Sequence, residues 1–316
     1  MVPSTSEQVR TPNVSWPDGK SFAFTVFDDP DGQTLDNGRP VYDLLSDCGL
    51  RTTKGLWTAE RRESKSGTCA SAPYREWCRE LQSRGFEMGW HGAAPYTSTR
   101  EQTLEGLERF AEYFGRAPAC MSQHCYCGEN VYWGDQRVGG VYRVAYNLAT
   151  RWHGHNQFFG SRPGHAAYWS DICSQRLRYV RNFVYSEIDT LAVCPWMPYH
   201  DPLRPDVQAW FASAEGAVVR SYNERISEAN QDRLEERGGA CIMYTHFGRG
   251  FVRDGALDAR FRELTLRLSK KNGWFVPVST LLDHLARSRG TTVLSAAQRR
   301  TLERRWLFHK IRFGSA

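Results

Sequence analysis

The sequence predicts an α/β fold: a parallel sheet with crossover helices, closed or nearly closed into a (β/α) barrel, with long loops on the C-terminal face of its strands. Three observations carry that expectation. Short apolar runs alternate with amphipathic stretches in a repeated β-then-α order, the pattern of parallel strands joined by crossover helices. Several apolar runs end in acids or histidines, where a parallel barrel carries its functional side chains. A chain of 316 residues, 41% hydrophobic and 24% charged, can close one such barrel around a large core without disulfides.

Taken in order, Ser21–Phe27 is a β-rich apolar run that leads into the acids Asp28, Asp29 and Asp31. Arg39–Cys48 reads as a helix closed by Gly49, and Arg51–Trp57 as a second strand. Ala72–Arg84 reads as a helix stopped by Gly85, and Phe86–Trp90 as a third strand ending at His91. Thr99–Phe114 places Leu104, Leu107, Phe110, Ala111 and Phe114 on one face; Ser98 or Thr99 caps it, and Gly115 with Pro118 ends it. Ala119–Gln123 is a fourth strand ending at His124, and Val141–Tyr146 reads as a fifth. Between Asn147 and Pro205 the rhythm breaks in favour of His, Trp, Tyr and Pro, which predicts long loops of the kind that carry binding function. The rhythm resumes with Ala240–Thr245 as a strand ending at His246, then a helix over Leu257–Lys271, a strand over Trp274–Val276 and a helix over Val278–Arg287. This divides the chain into an N-terminal extension (1–19), a barrel domain (20–289) and a basic amphipathic C-terminal helix (290–316).

Charge is distributed unevenly. Leu285–Ala316 holds eight Lys/Arg against one acid, Glu303, or +7; with a whole-chain charge of +6, the other 284 residues sum to −1. A near-neutral body argues against a nucleic-acid groove. The tail, Ala296–Phe313, sets Leu302, Trp306, Leu307, Phe308 and Ile311 among arginines. Two readings follow: a terminal helix packed on the body with a solvated basic face, or peripheral contact with an anionic membrane. No apolar run approaches the roughly 18 residues of a membrane span, and Met1–Ser15 is polar, without the apolar stretch of a secretion signal. The expected location is therefore the cytoplasm, with the tail allowing peripheral contact at the inner membrane face. Nine cysteines at irregular spacings fit reduced thiols in that compartment.

The chemistry gathers at strand ends. Adjacent carboxylates by themselves suit a turn or a cap, and a lone histidine after a strand suits a satisfied core position. Their shared placement at one barrel mouth instead matches a metal-hydrolase site, where carboxylate and imidazole hold a divalent ion and spare groups move protons. Cys120, His124, Cys125 and Cys127 lack the spacing and the second cysteine pair of a structural zinc site, which favours buried thiols. His153, His155 and His165 are alternatives to His124 as ligand. Tyr126, Trp133 and Trp169 offer faces for sugar stacking, with core packing as the competing use. There is no dinucleotide fingerprint, phosphate loop or nucleophile elbow.

Phe24-Thr25-Val26-Phe27-Asp28-Asp29, Glu87-Met88-Gly89-Trp90-His91 and Cys241-Ile242-Met243-Tyr244-Thr245-His246 resemble, in order, three motifs of the NodB-homology polysaccharide deacetylases, carbohydrate esterase family four. The resemblance spans about residues 20–285. It implies a deformed (β/α) barrel and removal of an N-acetyl or other N-acyl group from an amino sugar or glycan precursor, with Asp28 as general base, His246 as general acid, and Asp29 and His91 on a divalent metal, zinc first. The chain departs from the pattern at Pro95, which stands where the family has its second metal histidine. The third motif is replaced by Met121-Ser122-Gln123-His124-Cys125-Tyr126-Cys127, so His124 is assigned as the missing ligand. Asp31 is an additional acid and an alternative ligand. Asp171 and Asp189 are the candidates for the Arg–Asp support of the family's base. A precursor attached to lipid would suit a membrane-facing tail. The alternative reading is a barrel that binds carbohydrate, or acts as a scaffold, without catalysis.

Overall fold

The computed structural model describes residues 14–60, 66–150 and 157–313. The first half runs β1 (Phe22–Asp28), α1 (Leu35–Asp47), β2 (Thr53–Leu56), α2 (Ala72–Ser83), β3 (Glu87–Trp90), α3 (Arg100–Phe114), β4 (Cys120–Met121) and α4 (Gly140–Ala149). It continues through α5 (Ser170–Arg176), β5 (Tyr179–Tyr185), α6 (Thr190–Val193), β6 (Tyr199–His200), β7 (Ala209–Glu215), α7 (Val219–Arg225) and α8 (Glu228–Glu236). The last part is β8 (Ala240–Thr245), β9 (Val252–Arg253), β10 (Ala256–Leu257), α9 (Ala259–Ser269), β11 (Gly273–Phe275), α10 (Val278–Arg289), β12 (Thr292–Val293) and α11 (Ala296–Phe313).

Seven parallel strands close a ring in the order β1, β2, β3, β4, β5, β7, β8 and back to β1. The expected (β/α) barrel is therefore present. Every residue of β1 is buried, as a strand covered on both faces requires. Local chemistry sets several boundaries. Thr34 and Asn37 form a reciprocal cap that starts α1 ahead of the expected Arg39. Thr99 and Gln102 do the same for α3, and Gly115, at φ 71°, ends it in the left-handed region.

Two expectations are corrected, and a third is borne out in an unexpected place. Val141–Tyr146 is not a strand but part of helix α4. Its β-branched and aromatic residues suggested alternation, yet Tyr142, Ala145 and Tyr146 pack inward while Val141 and Val144 face solvent, a helical spacing. The fifth ring strand is β5, inside the stretch read as loops, and β7 follows just beyond it. Trp274–Val276 does lie on a strand segment, but β11 adds to β1 outside the ring.

The tail is built into the body. β12 pairs with β6, and α11 buries Leu302, Trp306 and Leu307. Trp306 stacks on Tyr146 at 5.7 Å. Buried Asp201 pairs with Arg204 and with Arg299 (2.7 Å), and Arg204 reaches Glu303 at 3.5 Å. No helix among the described residues is long and apolar enough to cross a membrane.

Candidate functional site

Loops at the C-terminal ends of four strands bring Asp29 and Asp31 (after β1), His91 (after β3), Ser122 and His124 (after β4) and His246 (after β8) to one place. β5 adds Arg181 from within the ring. Asp31 is the hub. Its Oδ2 lies 3.5 Å from His91 Nε2 and 3.6 Å from His246 Nε2, and its Oδ1 lies 3.1 Å from His124 Nε2 and from Arg249 Nη2. The loop carrying His246 presses against the Asp31 loop at Gly248, where a Cβ would overlap the backbone of Gly32 and Gln33.

Hydrogen bonding assigns the proton positions. Asp29 binds Arg181 through both oxygens, at 2.6 and 3.2 Å. Ser122 Oγ donates to Asp29 Oδ1 at 2.7 Å, so its oxygen accepts from His91 Nδ1, also at 2.7 Å. That places the His91 proton on Nδ1 and a lone pair on Nε2. His246 Nδ1 donates to the Ala217 carbonyl at 2.7 Å, which leaves a lone pair on its Nε2 as well. His124 Nδ1 faces Cys127 Sγ at 3.4 Å.

Burial by itself raises carboxyl pKa values, and here the surroundings overcome it. Arg181 and His91 hold Asp29 below its ordinary value despite burial. The His124 hydrogen bond, with the His91 and His246 imidazoles beside it, holds Asp31 far below the carboxylate range despite burial. Burial lowers His246, against the pull of Asp29 and Asp31.

His91 Nε2 and Asp31 Oδ2 are buried and have no hydrogen-bond partner. A nitrogen lone pair facing an ionised carboxylate is repulsive unless a proton or a cation lies between them. That arrangement, with a fixed Nδ1–H behind His91, is the donor chemistry a divalent cation needs. Asp31, His91 and His124 fit such an ion by donor type. The donors converge but are not closed: among the described residues, no group of three His, Cys, Asp or Glu side chains is set at coordination geometry.

The structure separates the two adjacent acids of the first motif. Asp28 takes no part in the cluster. Its Oδ1 accepts from Phe247 N at 2.8 Å, and its Oδ2 accepts from Gln33 Nε2 at 2.9 Å and Tyr42 Oη at 2.8 Å. Lys54 Nζ stands 3.8 Å away, fully buried, among the rings of Trp77, Tyr74 and Tyr42. Successive strand residues face opposite sides, which is why Asp28 lies under α1 and Asp29 faces the mouth. Asp29 meets His91 on its Nδ1 side, at 3.6 Å, and the Nε2 side belongs to Asp31. Pro95 lies in the loop after His91, and the His124 ring sits 5.6 Å from the His91 ring.

The other singled-out residues divide. Tyr126 is 84% exposed, with its ring 6.2 Å from His124. Trp133 is buried under the Arg137 guanidinium, at 4.0 Å, and Trp169 is a core residue whose Nε1 donates to Glu129 O. Neither has a face open for stacking. His165 stacks on Phe159 at 3.9 Å, and His153 and His155 lie outside the described residues. Asp171 pairs with Arg100, and Asp189 caps α6. The Arg–Asp pair at the site is instead Arg181 with Asp29. Arg181 was missed because Tyr179–Tyr185 fell in the irregular stretch, although its apolar run interrupted by Arg181-Asn182 is a strand signal. All nine cysteines are free, Cys127 is buried behind His124, and burial pushes the Cys125 thiol up to about 11.

No known family profile and no curated protein sequence matches the chain. Among solved structures, a Mycobacterium smegmatis protein named as a polysaccharide deacetylase aligns over 90% of this chain and 97% of its own, at 14% identity and a TM-score of 0.53. The Puue allantoinase aligns over 88% and 94%, at 13% identity and a TM-score of 0.50. The chain has a NodB-like barrel fold. At these identities the likeness is one of fold.

Proposed function

We propose that this protein hydrolyses an amide C–N bond, removing an N-acyl group from an amino sugar or a glycan precursor, free or lipid-linked, in surface-polysaccharide metabolism. The observation that carries the reading is the buried, unpartnered pair His91 Nε2 and Asp31 Oδ2, with His124 and His246 directed at the same carboxylate. Asp31, His91 and His124 would hold a divalent cation, zinc first. When bound, such an ion supplies polarisation of the amide carbonyl and acidifies the attacking water. Two deacetylase- and allantoinase-named fold neighbours support an amide hydrolase at the level of architecture.

The proton work falls to groups on either side of the cluster. Asp29 replaces Asp28 as the base. Its Oδ2 accepts one hydrogen bond against two at Oδ1, so Oδ2 has the capacity to take the water's proton. Arg181 positions that carboxylate. The water oxygen bonds to the carbonyl carbon as Asp29 takes one of its protons, the C–N bond breaks, and the amine nitrogen takes a proton from His246 Nε2, which first binds one from solvent on its lone pair while the Ala217 carbonyl holds the ring; the Asp29 proton then returns to solvent. Tyr126 is the exposed aromatic face beside the cluster for the sugar ring.

One contact favours a second reading, a barrel that binds an amino sugar without turnover. Arg249 Nη2 already sits 3.1 Å from Asp31 Oδ1, a cation supplied by the chain itself. Metal analysis of zinc-loaded protein, with release of free amine from a panel of N-acetylated sugars, separates the two. The proposal expects about one ion per chain, with metal and turnover both lost in His91→Ala and Asp31→Asn. Full metal occupancy in both variants would remove the ligand assignment, and absence of both metal and turnover in the wild type would favour the binding barrel.

A further inference from the structure

Nine large apolar side chains are exposed among the described residues, and five of them lie on two helices that pack together. On α4 these are Val141 (72% exposed), Val144 (54%) and Leu148 (65%), spaced three and four residues apart along one stripe. On α11 they are Phe308 (58%) and Ile311 (65%). The α11 residues fall in a row of exposed positions that also contains Arg300, Arg304 and Arg312. The single acid of α11, Glu303, is turned inward to Arg204. Folding thus uses Leu302, Trp306 and Leu307 to fasten α11 to the body. It leaves an outer face that is apolar and cationic with no exposed carboxylate on that helix.

We propose that this α4–α11 face docks on the surface of an anionic lipid bilayer. A bilayer surface offers both things the face asks for: an acyl boundary for Val141, Val144, Leu148, Phe308 and Ile311, and anionic head groups for the arginines. A second copy of the chain fits less well, because the +7 of Leu285–Ala316 would face itself across a two-fold axis. A nucleic acid would engage the arginines and leave the apolar stripe in water. The inward side of α11 also touches the end of a ring strand. Ser186, immediately after β5, donates its backbone N–H to His309 Nδ1 of α11 at 3.0 Å. The inference does not depend on the chemistry at the histidine cluster.

Flotation of the full-length protein with vesicles tests it. The expected result is recovery with phosphatidylglycerol–phosphatidylcholine vesicles, not with phosphatidylcholine alone, and loss of recovery at high salt. Phe308→Ser/Ile311→Ser and Val141→Ser/Leu148→Ser are each expected to weaken partitioning roughly tenfold. Arg300→Glu/Arg304→Glu is expected to abolish the preference for anionic lipid. All the changed side chains are exposed, and unchanged melting curves confirm that the variants fold. Equal flotation of wild type and the three variants, or no flotation with anionic vesicles, overturns the proposal. Concentration-dependent dimerisation in sedimentation, lost in the same variants, would assign the face to a second copy instead.

Discussion

Asp28 and Asp31 stand three residues apart at the end of β1, both buried, and their surroundings treat them in opposite ways. Asp28 receives the Phe247 N–H, Gln33 and Tyr42, with Lys54 opposite. Asp31 gathers three imidazoles and a half-exposed arginine, and one of its oxygens has no hydrogen-bond partner. In the first, both carboxylate oxygens are hydrogen-bonded, and the buried Lys54 Nζ stands 3.8 Å off with no hydrogen bond of its own. The second is incomplete and is suited to receive something from outside. Residue type is the same in both, so the atoms left unsatisfied set the two acids apart: the ammonium of Lys54 at the first, a carboxylate oxygen and the facing imidazole nitrogen at the second.

The widest test of that contrast is a pair of substitutions. Asp28→Ala strands the Lys54 charge in the interior and orphans the Phe247 N–H, with an expected loss of about 3–5 kcal/mol in denaturant unfolding. Asp31→Ala is expected to cost less than Asp28→Ala in the same measurement while removing metal uptake. Similar losses at both positions would erase the distinction.

The Gly248→Ala substitution sharpens it by spoiling the contact between the Asp31 and His246 loops. We expect about 1–3 kcal/mol of destabilisation from overpacking, with a fall in turnover larger than in binding. Wild-type stability and rate would show that the loops need no such close approach.

Glu129 sits between the two extremes. It is buried, its carboxylate accepts the Ser98 N–H, and burial raises it to about 7 against that bond and the pull of His124. A raised carboxyl contributes stability that is full below its ordinary value and is lost as pH climbs through about 7. Glu129→Gln is therefore expected to flatten the decline seen in the wild type between about pH 5 and 8, by on the order of 1–3 kcal/mol. Parallel pH curves for the two proteins would contradict this.

The smallest effect is expected at Arg249, whose side chain is 48% exposed. Arg249→Ala should alter stability by about 0.5 kcal/mol or less. It should raise zinc affinity, because a competing cation has left Asp31. Unchanged or weaker zinc binding by calorimetry would favour the reading in which Arg249 belongs to a binding-only site.

Much of the frame was legible in the residues. The strands ending at Asp28, His91 and His246 show as short runs that close on acids or histidines, α2 as a helix stopped by Gly85, and α3 as an amphipathic period with cap and stop residues. The region from Asn147 to Pro205 was not legible. β5 is covered on both faces and carries polar residues toward each, Arg181 toward Asp29 inside the ring and Asn182 toward Tyr199 and Arg137, so neither alternation nor continuous apolarity marks it clearly. α4 was misread because valine and tyrosine favour strands until a neighbour such as α11 gives them a helical face to bury.

The order of the elements, the grouping of acids and histidines at strand ends, and the basic tail are properties of composition and spacing, and they were set along the chain. Which of three nearby aspartates faces Tyr42, which faces Arg181 and which faces the imidazoles was decided only when β1 joined the ring. The reason is physical. A strand's side chains alternate between faces, and the meaning of each face comes from residues far away in sequence, such as Lys54, Ser122, Arg181 and His246, that packing brings beside it.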